Sequence, residues 1–339
     1  MIKSQGYSSK NKLTKVMTVG LPSSNVRAKL DSVREEANIG GTIESKKDKS
    51  QVASVSDDFE EEEKSNGHKK DVIRQEKSVE KHDFKFKDFD VSQVHKNSFM
   101  IVIASRRSGK SHLITHFLET YTDKNQVDGI FLFSKTDAGF DGIPSNFRYR
   151  DLDVLPEIIQ TQVKVKKHNL KASKKNKVKS NIIIILDDMI GSGGPGAAMR
   201  TNKILNKLAV NGRHLSSDED SNIMIILISQ IYTGISPQIR LNTDYLFSAA
   251  LQSRRERESI VNGFLSLNSG RQGLKESYEV FDSIVNSGNF HFIAINTTHQ
   301  NKKKFEDYVF LFKAPGKLKN KHLIGTSDDW RMNKKVVVW

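Results

Sequence analysis

Phe99-Met100-Ile101-Val102-Ile103 runs directly into Ala104-Ser105-Arg106-Arg107-Ser108-Gly109-Lys110-Ser111. Five apolar residues without polar alternation predict a strand buried on both faces. The eight that follow fit a Walker A phosphate loop, with Ala104 at the position often held by glycine. In such a loop, backbone N–H groups converge on phosphate oxygens, and the next helix adds its positive dipole end. Residues 104–111 are therefore assigned to nucleotide binding. Lys110 is expected to reach the β and γ phosphates, and Ser111 to hold Mg²⁺ beside ATP. Residues 112–121 place Leu113, Ile114, Phe117, Leu118 and Tyr121 on one helical face, giving the required order of strand, loop and helix.

Beyond this unit, β-rich runs recur at 130–134, 182–187, 223–229, 245–249 and 290–296. Helical periodicity lies between them at 152–165, 198–210, 254–266 and 273–286. Alternating elements of this kind predict an α/β fold, a mostly parallel sheet flanked by helices. Ligands in such folds sit at the carboxyl ends of the strands, so the strand tips are the positions to inspect.

The run 182–186 ends in Asp187-Asp188, a Walker B pattern. Asp187 is expected to hold Mg²⁺, and Asp188, where many ATPases carry glutamate, to polarise the attacking water. The run 223–228 ends in Ser229-Gln230. Gln230 is the sensor candidate, touching γ-phosphate and water, with Ser229 second. Asn211-Gly212-Arg213-His214 lies between these two strand tips in sequence. Arg213 is the favoured arginine finger, entering a neighbouring subunit's site, and Arg240 competes for that role.

The 339-residue chain carries a formal charge of +14 and a pI near 9.6, which points to a polyanionic partner. It has no cysteine, which excludes disulfides, thiolate metal sites and a thiol nucleophile. No apolar run is long enough for a membrane span, and the N-terminus lacks a signal-peptide core, so an intracellular location is expected. Residues 1–88 are rich in Ser, Lys, Glu and Asp and predict a disordered charged tail, with a transient helix over 26–37. An ATPase domain is expected over 89–314 and a basic C-terminal tail over 315–339. Between Lys164 and Lys179 stand eight lysines and no acid. This insertion is expected to be a solvent loop or a helix extension, suited to DNA phosphates. Clusters at 302–304 and 317–321 repeat the pattern.

Taken together, Ala-Ser-Arg-Arg-Ser-Gly-Lys-Ser, Ile-Ile-Ile-Ile-Leu-Asp-Asp, Gly-Arg-His, Ile-Leu-Ile-Ser-Gln and Pro-Gln-Ile-Arg-Leu-Asn-Thr-Asp resemble the poxvirus-type genome packaging ATPases of the FtsK–HerA superfamily. These occur in large DNA viruses of eukaryotes, virophages and related elements. The resemblance spans about residues 95–300, and its most discriminating part is Gly-Arg-His followed by the Ser-Gln-ended strand. It implies a P-loop NTPase with a RecA-like core, the sensor strand lying between the two Walker strands. It also implies ATP and Mg²⁺ as cofactors and a pentameric or hexameric ring pumping double-stranded DNA into a preformed shell. Capsid or portal-vertex proteins would be its partners, in the host cytoplasm or nucleus at assembly sites or in the virion. A cellular-type translocase or helicase of the superfamily is the alternative. A non-enzymatic nucleic-acid-binding protein with a degenerate P-loop is a third reading.

Overall fold

The computed structural model describes residues 84–136, 139–189, 203–216, 220–266, 270–300, 302–319 and 321–324, with only the backbone for residues 203 and 213–216. In these, eight strands form one sheet in the order β3-β2-β4-β5-β1-β6-β7-β8. They are β1 (Phe99–Ile103), β2 (Gly129–Ser134), β3 (Arg148–Tyr149), β4 (Ser180–Asp187), β5 (Ser221–Ser229), β6 (Tyr245–Ser248), β7 (His291–Asn296) and β8 (Val309–Lys313). The strands from β3 to β6 run parallel, and β7 and β8 add antiparallel pairings. The fold is that of a P-loop NTPase, and β5 lies between β4 and β1, as expected for the sensor strand.

The unalternated apolar runs follow from burial on both faces. In β1, Phe99, Ile101 and Ile103 enter one core, while Met100 and Val102 enter the other. In β5, Ile223, Ile225 and Leu227 face the first, and Met224, Ile226 and Ile228 the second. Each such side chain taken from water contributes about 1.5–3 kcal/mol, so a polar residue is tolerated only at a strand tip.

Helix α1 (Lys110–Lys124) covers the second face with Leu113, Ile114, Phe117, Leu118 and Tyr121, as the periodicity predicts. The other face receives side chains from α2 (Leu155–Lys171), α3 (Lys203–Ser216), α4 (Pro237–Leu241), α5 (Arg254–Phe264) and α6 (Arg271–Val285). The helices expected at 152–165, 254–266 and 273–286 correspond to α2, α5 and α6, with shifted ends; that expected at 198–210 corresponds to α3 from Lys203 on, its first residues 198–202 lying outside the described residues. The sequence reading missed β3 and β8, two edge strands of partial burial whose apolar signal is weak. It also missed the five-residue α4, started by Pro237 and capped by Ser236, whose hydroxyl accepts from Ile239 N.

The expected tail lies outside the described residues up to 83, as does the C-terminal stretch from 325. Residues 84–88, 315–319 and 321–324, given to the two tails on composition, pack on the domain instead. Phe84 and Phe86 cover the first core, and Leu311 N donates to Lys87 O at 2.9 Å. Leu323 is buried, and its N–H donates to Gly142 O at 3.0 Å. A few apolar residues inside a charged stretch anchor it without changing its composition.

Candidate nucleotide site and basic surface

The loop between β1 and α1 holds the shape of a phosphate cradle through its own contacts. Ala104 N donates to Ser229 O at 3.2 Å, fastening the tip of β1 to that of β5. Ser108 Oγ donates to Ser105 O at 2.7 Å. Gly109 precedes α1 with φ of 86°, a backbone that an L side chain rarely adopts, so glycine is required there. Lys110 Nζ folds back to donate to Ala104 O at 2.9 Å and Ser105 O at 3.0 Å. Burial lowers its pKa, partly offset by the carboxylates of Asp188 and Asp187. Arg106 and Arg107 are exposed, Arg107 with φ of 59°.

Asp187 and Asp188 end the adjoining strand. Asp187 is buried and accepts from Ser134 Oγ at 3.3 Å. Its pKa is pushed up to about 6, first by burial and then by the charge of Asp188. Asp188 turns off the strand with φ of 47°, its N–H donating to Ile228 O at 3.1 Å. Its Oδ2 accepts from Gln230 Nε2 at 2.8 Å. Four expected residues (Lys110, Asp187, Asp188 and Gln230) are thus brought to one end of three adjacent strands. A carboxylate held by an amide donor, beside a second carboxylate and an ammonium, is suited to orienting a water against a phosphoryl group. Ser229 points elsewhere: its hydroxyl donates to Ile231 O at 3.1 Å.

The donor set suits Mg²⁺, which takes few protein oxygens and completes its shell with water and phosphate. The Ser111 hydroxyl and the Asp187 carboxylate are the hard oxygens in place, and the ion would supply charge neutralisation of the phosphates. Among the described residues no cluster of three or more His, Cys, Asp or Glu forms a metal site by itself. Sequence reasoning missed two residues around these groups. Ser134 is the single polar residue closing the run Ile-Phe-Leu-Phe-Ser, and pairs in register with Asp187. Gly139 has φ of 85°, and a methyl group on it would meet Ser111 Oγ at 3.4 Å.

The arginines lie elsewhere. Gly212 lines a small pocket with Asn97, Ser98, Phe99, Asn242 and Asp244, at the starts of the strands. Arg213 follows in α3 at that far edge, and its side chain lies outside the described residues. Arg240 sits over the Tyr232 ring at 5.1 Å, in a cleft of about 500 Å³ shared with Leu241, Phe264 and Lys302. Arg240 does not join the Lys110 cluster of its own chain.

The lysine insertion is ordered. Helix α2 extends through Lys171, a 3₁₀ turn follows at Lys174–Asn176, and β4 starts at Ser180. Buried Asn169 clamps the return: its Nδ2 donates to Val178 O at 2.9 Å and its Oδ1 accepts from Val178 N at 2.8 Å. Lys164, Lys167, Lys171, Lys174, Lys175 and Lys179 are exposed on this hairpin, and Lys177 pairs with Asp220 at 3.6 Å. The hairpin stands at the start of β4, about 23 Å from Asp187 at about 3.3 Å per residue.

No family model matches the chain. A protein of Acanthamoeba polyphaga mimivirus, described as uncharacterized, is 22% identical over 243 residues, covering 68% of this chain and 78% of that protein. Among solved structures, the genome packaging NTPase B204 from Sulfolobus turreted icosahedral virus 2 is similar with a TM-score of 0.42 and 13% identity, covering 66% of this chain and 98% of B204. The pCW3 conjugation coupling protein TcpA is similar with a TM-score of 0.43 and 13% identity, over 71% of this chain and 64% of its own. No helix among the described residues is long and apolar enough to cross a membrane. What these comparisons give is likeness: this chain is similar in structure to a viral genome packaging NTPase and to a conjugation coupling protein.

Proposed function

We propose that this chain is an ATPase of the FtsK–HerA type that translocates double-stranded DNA, packaging a viral genome into a preformed capsid. The observation that carries the reading is the cluster of Lys110, Asp187, Asp188 and Gln230 on three adjacent strand tips. Lys110 and the loop 104–111 bind the triphosphate, with Mg²⁺ held by Ser111 and Asp187. Asp188, oriented by Gln230, polarises the attacking water. Arg213 serves a neighbouring subunit of a pentameric or hexameric ring as the finger. Support for DNA as the substrate comes from the net charge of +14 and from the α2 hairpin, whose exposed lysines present point charges to a phosphate backbone. Capsid or portal-vertex proteins are the docking partners in this reading.

The test is ATP hydrolysis with and without double-stranded DNA. Hydrolysis is expected to rise with DNA and to vanish in Lys110→Ala and Asp187→Ala. DNA-independent hydrolysis by a stable monomer would overturn the translocase assignment.

A further inference from the structure

Phe290 is out of place for a large aromatic. It is 60% exposed, and its backbone lies in the left-handed region with φ of 60°. Bulky residues are rarely found there, and such positions persist mainly at ligand sites. It is the last residue before β7 and stands three positions beyond Ile293, which pairs with Ser248 at the tip of β6. That tip adjoins β1, since Ala249 N donates to Ile103 O at 3.1 Å. The ring therefore projects past the sheet at the end where the phosphate loop begins. There it lies against Gly109: a methyl group on that glycine would come within 2.9 Å of Phe290 Cδ1.

Strand order fixes which part of a bound nucleotide this ring faces. Asp187, Asp188 and Gln230 stand at the ends of β4 and β5, on one side of β1. A γ-phosphate placed for attack lies on that side. The nucleoside then leaves the loop on the opposite side, over β6 and β7, where Phe290 stands. The same side is closed by His112 in the first turn of α1, whose Nε2 lies 2.7 Å from Pro315 O just after β8. With one part of its surface on Gly109 and most of the rest open, the ring offers a free π face where the base emerges.

We infer that Phe290 is the nucleobase platform of this site, stacking on the base while the loop holds the phosphates; this rests on the nucleotide-site assignment above. Stacking on an aromatic ring needs only a base π face, so ATP and GTP both gain from it. Inorganic tripolyphosphate, which carries no base, gains nothing.

Calorimetric titration of the full chain with Mg·ATP, Mg·GTP and Mg·tripolyphosphate tests this. Phe290→Gly removes the ring and suits the left-handed backbone, so the variant folds at no steric cost. It is expected to weaken ATP and GTP about tenfold, within the range of one base–aromatic stack, and to leave tripolyphosphate unchanged. Phe290→Trp is expected to restore ATP affinity. Equal weakening of all three ligands would mean that the ring only supports the loop, and unchanged ATP affinity would mean that it touches no base. Either result overturns the platform while leaving the site intact. Failure of the wild-type chain to bind any of the three overturns the nucleotide site itself, and the platform with it.

Discussion

Asp187 ends β4 almost out of water, with Asp188 beside it, and its pKa is pushed up to about 6 against 3.8 for a free aspartate. Above pH 6 it is ionised in both the folded and the unfolded chain, and folding then carries the cost of burying that charge. Below 3.8 it is protonated in both states and the cost is gone. A raised carboxyl pKa therefore means stability that falls as pH rises from about 4 to 6, the reverse of a salt-bridged aspartate. Asp187→Asn is expected to stabilise the nucleotide-free protein by about 1–3 kcal/mol at pH 7.5 in EDTA. The gain is expected to shrink towards zero by pH 4 while hydrolysis stays lost. Urea unfolding at both pH values checks it, and a variant less stable than wild type at pH 7.5 would refute this cost of charge burial. At this scale much of the site was readable in the sequence. Lys110 and Asp187-Asp188 announce themselves because phosphate and Mg²⁺ demand those groups at fixed spacing. Ser134 and Phe290 do not, because their roles arise from register and from a turn, which no local spacing encodes.

For the elements, the periodic signal located helix and strand well where burial is complete, and poorly where it is partial. The unbroken Ile run of β4 can only be a central strand, whereas Arg148–Tyr149 is too short to show a period. The α2 hairpin shows both sides of this. Its lysines mark a solvent-facing segment, yet its fixed shape depends on Asn169, an unremarkable residue in the sequence that turns out to be 2% exposed. If the hairpin touches DNA phosphates, neutralising Lys171, Lys174, Lys175 and Lys179 to Gln lowers affinity and flattens its salt dependence. Each lost phosphate contact reduces the slope of log affinity against log salt by about 0.9, so a change of about 3–4 is expected. Filter binding across salt concentrations measures it. An unchanged slope would show that these lysines are merely solvated.

Across the whole molecule, the sheet is covered differently on its two faces. Among the described residues one face carries five α-helices, and the other carries α1 and is completed by segments from three places in the chain: Val91 and Val94 before β1, Phe140 and Ile143 after β2, and Leu323 after β8. The last of these arrives along a strap. Lys319 N donates to Glu119 Oε2 at 3.1 Å, and Lys319 and Lys321 both reach Asp123 at 2.6 Å. Composition hid this, because the strap reads as basic tail interrupted by no large apolar residues but Leu318, Leu323 and Ile324. The charged contacts are exposed and screened by salt, so they contribute little by themselves. The apolar anchor should dominate, since Leu323 is 7% exposed against Gly142 and the second core. Leu323→Ala is expected to lower unfolding free energy by about 2 kcal/mol, the low end for a buried leucine because one side of it nears solvent. Lys319→Ala with Lys321→Ala is expected to cost less, and that cost is expected to shrink with added salt while the leucine variant's does not. Because the strap contacts His112 beside the nucleotide loop and Asp123 at the other end of α1, loosening it should leave the loop in place, so bound ATP and Mg²⁺ are expected to raise the unfolding temperature of both variants by mass action, as they do that of the wild type. Thermal unfolding of both variants with and without nucleotide at two salt concentrations measures this. A leucine variant as stable as wild type would show that the segment around Leu323 decorates the domain without holding it.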